Sequence, residues 1–270
     1  MNAPVYAHPP ENVTPPPDSP RRAWWDRLAW VLLPSSCLGC GAALPAAVSP
    51  LGLCPPCRGR LQPAAQPPQA CASCSRPLDA AEPPPGYVCG GCRLDPPAFD
   101  RLLAVWLYAP PLDAVVQGLK FGRLDYLGRH LAAAIAERLE EPLGERLDGD
   151  SLVVPVPLHW RRYLGRGYNQ AERIARPLAR GLGLPLWRGL GRARLTPPQS
   201  RLDREARRSN LDGVFRVRRP GRLAGRHVLL VDDVATTGTT LDTAAAALKA
   251  AGAAAVTAVV AGRTPVSSWD

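Results

Sequence analysis

The sequence predicts an α/β protein, a Rossmann-like, mostly parallel sheet with flanking helices, preceded by a small N-terminal Cys-rich zinc-ribbon module. Three observations carry this. From about residue 99 onward, short apolar runs alternate with segments of helical period. All eight cysteines fall between Cys37 and Cys92, as CxxC pairs. One apolar run, Val228–Val231, ends in two adjacent carboxylates, Asp232 and Asp233, followed by the loop "VATTGTT" and a helical pattern.

Taken in order, residues 1–22 are proline-rich and predict a disordered head. The segment Leu28–Pro34 is far shorter than the roughly 18 apolar residues needed to span a bilayer. No small-residue cleavage site follows it, so it reads as a short aromatic helix packed on protein, and a cytoplasmic location is expected. Residues 23–98 form the expected double zinc ribbon and residues 99–270 the α/β domain. Within the latter, "FDRLLAVWLYAPPL" predicts a strand closed by a turn at Pro110–Pro111. "LDAVVQGLKF" and "DYLGRHLAAAIAERLEE" predict helices, and "DSLVVPVPL" a buried strand. "NQAERIARPLARGLG" predicts a helix that Pro177 kinks or interrupts and a glycine ends. "RHVLLVDDV", "TTLDTAAAALKAAG" and "AAVTAVVAGR" predict strand, helix and strand.

The cysteines form four pairs: Cys37/Cys40, Cys54/Cys57, Cys71/Cys74 and Cys89/Cys92. The intervals between pairs are 13, 13 and 14 residues. A CxxC knuckle turns two sulfurs toward one point, and two knuckles complete a tetrahedral Zn²⁺ site. "CLGCGAAL" and "CASCSRPL" resemble each other across a proline-rich joint, which favours sequential pairing into two closed structural sites. Interleaved pairing is the alternative. A disulfide framework lacks the export signal it would accompany, and no thioredoxin-like βαβ pattern surrounds the pairs.

Net charge is +10, but the segment 158–226 holds 18 Arg and no Lys against four acids, leaving the remainder at −4. Genome composition alone accounts for a preference for Arg, so a single arginine means little. The cluster as a whole calls for an anionic partner or broad solvation. Arg216, Arg218, Arg219 and Arg222 flank the turn "RRPGR" and read as surface.

In open parallel sheets ligands bind beyond the carboxyl ends of the strands. Asp232 and Asp233 stand at such an end, and the Thr/Gly loop leads into a helix N-terminus whose N–H groups suit an anion. Carboxylates repel phosphate, so they are expected to hold hydroxyls of the same ligand. A sugar phosphate with a free diol meets both halves. No G-x-x-x-x-G-K-[ST] and no post-strand G-x-G-x-x-G is present.

"VLLVDDVATTGTTL" resembles the phosphoribosyl pyrophosphate (PRPP) motif of type I phosphoribosyltransferases. Together with "VPVPLHWRRYLGRGYNQAERIA", "RARLTPPQSRLDREARRSNLDGVF" and the cysteine knuckles, it resembles the ComF family of competence-associated proteins from Cys37 to about Arg263. The resemblance implies a phosphoribosyltransferase-like fold in which Asp232 and Asp233 hold the ribose hydroxyls. Thr236, Thr237, Gly238, Thr239 and Thr240 would cradle the 5′-phosphate. Arg161, Arg162, Arg166, Asn169 and Gln170 would face the pyrophosphate, with Lys120 near the same cleft. Arg194, Thr196, Gln199, Arg207 and Asn210 would belong to a hood loop. Mg²⁺ would accompany PRPP, and Zn²⁺ would fill the two Cys₄ sites.

The phosphate loop holds no acid or base to assist an acceptor, so the acceptor is unspecified. Two readings follow: a phosphoribosyltransferase that releases pyrophosphate, or a PRPP-regulated accessory of DNA uptake that contacts single-stranded DNA or helicase partners. In a third, the zinc module is only a docking platform.

Overall fold

The computed structural model describes residues 36–44, 50–67, 69–78, 83–122, 124–143, 147, 149–158, 167–193 and 213–264. Its elements are α1 (Pro55–Gly59), α2 (Gly90–Leu94), β1 (Arg101–Leu107), α3 (Leu112–Phe121), α4 (Tyr126–Leu143), β2 (Leu152–Pro155), α5 (Gln170–Gly181), β3 (Leu190–Arg192), β4 (Phe215–Val217), β5 (His227–Ala235), α6 (Thr239–Ala250) and β6 (Ala255–Arg263). Four strands form an all-parallel sheet in the order β1-β6-β5-β2, and β3-β4 make a separate antiparallel hairpin.

The β pleat sorts the core into two layers. Leu103, Val153, Leu229, Val231, Val259 and Ala261 face α3, α4 and α5. Leu102, Val154, Val228, Leu230, Ala258 and Val260 face the other way, onto α6 and the hairpin. Both faces are covered, which is why these strands read as nearly unbroken apolar runs rather than as alternation.

Helices α5 and α6 end alike. Gly183 and Gly252 take positive φ just past each helix. The N–H groups of Leu184 and Ala253 reach back to Ala179 and Leu248. This is the Schellman arrangement, which satisfies carbonyls that the helix leaves open.

Of the two outcomes expected at Pro177, the interruption does not occur: α5 continues from Gln170 to Gly181. Proline removes the N–H that would bond the Arg173 carbonyl. A Cβ at Gly128 of α4 would lie 2.4 Å from the Arg173 carbonyl oxygen. The absence of a side chain there lets α4 sit directly on the orphaned carbonyl.

The zinc module covers one sheet edge. Leu107 N–H donates to Gln62 and Ala64 N–H to Val105, at 2.8 and 2.9 Å. Leu102 N–H donates to Ser73, and Ser75 Oγ donates back to the Leu102 carbonyl. The opposite edge is met by 185–187, where Val153 N–H donates to Pro185 and accepts from Trp187 N–H through its carbonyl. No helix among the described residues is long and apolar enough to cross a membrane.

Gly128→Ala is expected to push α4 and α5 apart and cost about 1–3 kcal/mol, read as a lowered urea midpoint at unchanged slope.

Candidate functional site

The eight sulfurs gather into two groups, Cys37/Cys40/Cys54/Cys57 and Cys71/Cys74/Cys89/Cys92, each with all ligand atoms within 4.8 Å of one another. The pairing is sequential. Tetrahedral Zn²⁺ with bonds of 2.3 Å sets sulfurs about 3.8 Å apart; Cys40–Cys54 and Cys74–Cys89 stand at 3.7 and 3.9 Å. The halves are also a structural repeat. Cys54 N–H donates to Cys37 Sγ as Cys89 N–H does to Cys71 Sγ. Gly41 N–H bonds the Cys37 carbonyl as Ser75 N–H bonds that of Cys71. Burial opposes ionisation of Cys37, but N–H donors from Cys54, Cys40 and Gly39 hold its thiol down to about 6. Burial and the neighbouring thiols push Cys57 up to about 12. Four thiols without a cation resist sharing more charge, and a divalent metal removes that resistance. The residues fit closed structural zinc sites.

The second cluster lies at the carboxyl end of β5. The strand's pleat continues through its acids, so Asp233 follows Leu229 and Val231 toward α3, and Asp232 follows Val228 and Leu230 toward the hairpin face. Asp233, 7% exposed, pairs with Lys120 Nζ of α3 at 3.1 Å. Asp232 Oδ1 accepts the Asp233 N–H at 2.8 Å. Burial and the adjacent Asp233 charge push Asp232 up to about 7, against the pull of that N–H, Lys120 and Arg192. Arg192, at the end of β3 with its guanidinium 5.6 Å over the Phe215 ring, is a cation that the sequence reading missed. Only the hairpin places it here, and no local motif announces it.

The loop then turns at Gly238, whose φ of 83° favours glycine. The first main-chain bond of α6 runs from Asp242 N–H to Gly238. Thr239, Thr240 and Leu241 therefore present N–H groups with no acceptor inside the helix. Thr237 Oγ1 lies 2.7 Å from Thr239 Oγ1 and accepts the Thr239 N–H at 3.3 Å. Thr236, Thr237 and Thr240 are exposed. The result is an open, electropositive turn beside two carboxylates.

Asn169 caps α5, accepting from Ala171 N–H and donating to the Val156 carbonyl. Gln170 is buried, and its Nε2 has no partner among the described residues. Tyr168 donates to the Leu119 carbonyl, tying the start of α5 to the helix that carries Lys120. It is buried with Arg173 over its ring, so it offers no open stacking face. Arg161, Arg162, Arg166, Arg194, Thr196, Gln199, Arg207 and Asn210 lie outside the described residues. Part of the arginine surplus is answered internally: Arg173 pairs with Asp125, Arg176 and Arg188 with Glu172, and Arg226 with Asp150. Arg216, Arg218, Arg219 and Arg222 are exposed.

A phosphoribosyl transferase domain model matches residues 170–267, and a double zinc ribbon domain model matches residues 28–93. "DNA utilization protein YhgH" of Salmonella typhimurium is 39% identical over 179 residues, 64% of this chain and 76% of that one. Its counterpart in Escherichia coli K12 is 39% identical over 62% of this chain and 74% of that one. "Competence protein F" of Haemophilus influenzae is 32% identical over 57% and 69%. The chain belongs to the ComF family. Its order of parts, a double zinc ribbon followed by a phosphoribosyltransferase domain, therefore matches that of a ComF protein in both fold and metal sites.

Two outcomes follow for this ComF protein. Elemental analysis is expected to return about two zinc ions per chain. The raised Asp232 carboxyl means that the folded state binds a proton more readily than the unfolded chain. Its contribution to stability is full below the usual aspartate range and is lost as pH rises through about 7. Asp232→Asn is thus expected to raise Tm by a few degrees at pH 8, with the gain vanishing near pH 4.

Proposed function

We propose that the cleft at the carboxyl end of β5 binds PRPP with Mg²⁺ and transfers its phosphoribosyl group to an acceptor that the sequence leaves unspecified, releasing pyrophosphate. The observation that carries this is the direct succession of Asp232 and Asp233 by a helix-terminal loop with open N–H groups. A diol and an ester phosphate on one ribose are spaced to meet both. Asp232 and Asp233 accept from the ribose hydroxyls, and Lys120 shares Asp233 with them. The Thr240 N–H and the hydroxyls of Thr236 and Thr240, joined by the Thr239 N–H and the Thr237 hydroxyl once these exchange their mutual bond for the ligand, receive the 5′-phosphate around the turn at Gly238.

Bound Mg²⁺ would supply charge neutralisation on pyrophosphate and ribose oxygens, which suit a hard cation. When the C1–O bond breaks, positive charge develops on the sugar and negative charge on the leaving group. The carboxylates are assigned the first. Arg161, Arg162 and Arg166 are assigned the second, since planar guanidinium forks match phosphate oxygens. Gln170 is assigned a donor role toward the same end. Arg194, Thr196, Gln199, Arg207 and Asn210 are assigned to the segment that closes over the ligand.

The names of the relatives, "DNA utilization protein" and "Competence protein F", favour a second reading. In it PRPP is a regulatory ligand of a DNA-uptake protein, and the exposed arginines meet single-stranded DNA. It predicts PRPP binding without turnover, and DNA affinity that falls steeply with salt.

Calorimetry with PRPP and Mg²⁺ separates these outcomes. Wild type is expected to bind. The Asp232→Asn/Asp233→Asn double variant is expected to bind at least about a hundredfold more weakly, having lost two charge-assisted acceptors. Equal affinity in the two proteins would overturn the assignment of the carboxylates. Pyrophosphate release, measured in parallel across a panel of acceptors, decides between transferase and regulated accessory.

A further inference from the structure

Arg263, the last residue of β6, is 6% exposed. Its guanidinium donates in two directions. Nε donates to the Cys74 carbonyl at 3.3 Å, within the second Cys₄ site. Nη1 donates to the Ala235 carbonyl at 3.0 Å and to the carbonyl of Thr236, the first residue of the phosphate loop. The Thr264 N–H joins Ala235 at 3.1 Å. One side chain thus spans from a metal knuckle to the loop.

Among the described residues no carboxylate pairs with this buried cation. A guanidinium is costly to bury without a counter-charge. Four thiolates around one Zn²⁺ sum to a dianion, which is the missing counter-charge. Loss of the metal frees the Cys71–Cys74 knuckle, and with it the Cys74 carbonyl that holds Nε of Arg263.

We infer that Arg263 is a positioning residue through which metal loading at the second Cys₄ site sets the conformation of the loop 235–240. With zinc present the guanidinium is held, and the Ala235 and Thr236 carbonyls are fixed ahead of the turn at Gly238. Without zinc the tether is released and the loop loosens. The coupling is structural; only its consequence for a phosphosugar rests on the proposed function.

Hydrogen exchange of the full zinc-loaded chain, read by mass spectrometry with no phosphosugar present, tests this. Arg263→Met is expected to raise exchange across 235–241 by about fivefold and to speed chelator removal of one of the two zinc ions. Arg263→Lys keeps the charge but loses the fork, and is expected to fall between Arg263→Met and wild type. Cys92→Ser, which opens the second site, is expected to loosen the same peptides, whereas Cys57→Ser, which opens the first, leaves them protected. Unchanged exchange at 235–241 in both Arg263→Met and Cys92→Ser would overturn the inference. If Arg263→Met does not fold, the contrast between Cys92→Ser and Cys57→Ser decides alone. Failure of wild type to bind PRPP in calorimetry would remove the proposed ligand and leave this result standing.

Discussion

Strand β5 is hydrogen-bonded along both edges, by β6 and β2, and packed on both faces by helices and hairpin. Its unbroken run of buried apolar residues ends at Val231. The next two side chains are carboxylates whose charge the interior does not tolerate unpaired. The pleat sends them to opposite faces, and the fold answers each differently. Asp233 receives Lys120 from α3, while Asp232 is left with a main-chain N–H and the more distant fields of Lys120 and Arg192. An electrostatic imbalance is thereby stored at the carboxyl end of β5. A ligand rich in hydroxyls and phosphate is suited to resolve it.

Much of this was legible in the sequence because it is local. The strand ending in "VDDVA", the turn glycine and the helix after it are written in consecutive residues, and the CxxC pairs state their own partners by repetition. The helices and strands of the α/β domain were likewise readable from period and caps. What was not legible depends on contacts far apart in the chain. Pro177 reads locally as a break, and the close approach of the bare Gly128 to the carbonyl it leaves open is a contact from another helix. Arg192 becomes relevant through a hairpin, and Arg263 through a carbonyl 189 positions away. Asn169 reads as a residue facing pyrophosphate, and its further role in capping α5 becomes visible only in the structure. The arginine surplus looked uniform in composition, yet part of it is neutralised by Asp125, Asp150 and Glu172.

The two zinc knuckles touch different halves of the candidate site. In the first, a Cβ at Gly39 would lie 3.0 Å from Pro111, and Leu38 reaches the position of Gly118. It therefore packs along α3, the helix carrying Lys120. The second reaches the loop 235–240 through Arg263. Closed metal sites of this kind do no chemistry themselves. Their rigidity is what they contribute, and here it is delivered to both sides of one cleft.

The pairing of residues 62–64 and of Ser73 and Ser75 with β1 has a consequence for anyone who divides the molecule. An open row of amides and carbonyls on a buried-type strand is a template for intermolecular pairing. A fragment beginning after the cysteines would carry that row bare, flanked by apolar side chains made to be covered. Such a fragment would self-associate through its uncovered border and come out of cells as inclusion bodies. The cysteine-rich segment is in this respect the sheet's selvedge, the finished margin that keeps the weave from continuing into its neighbour.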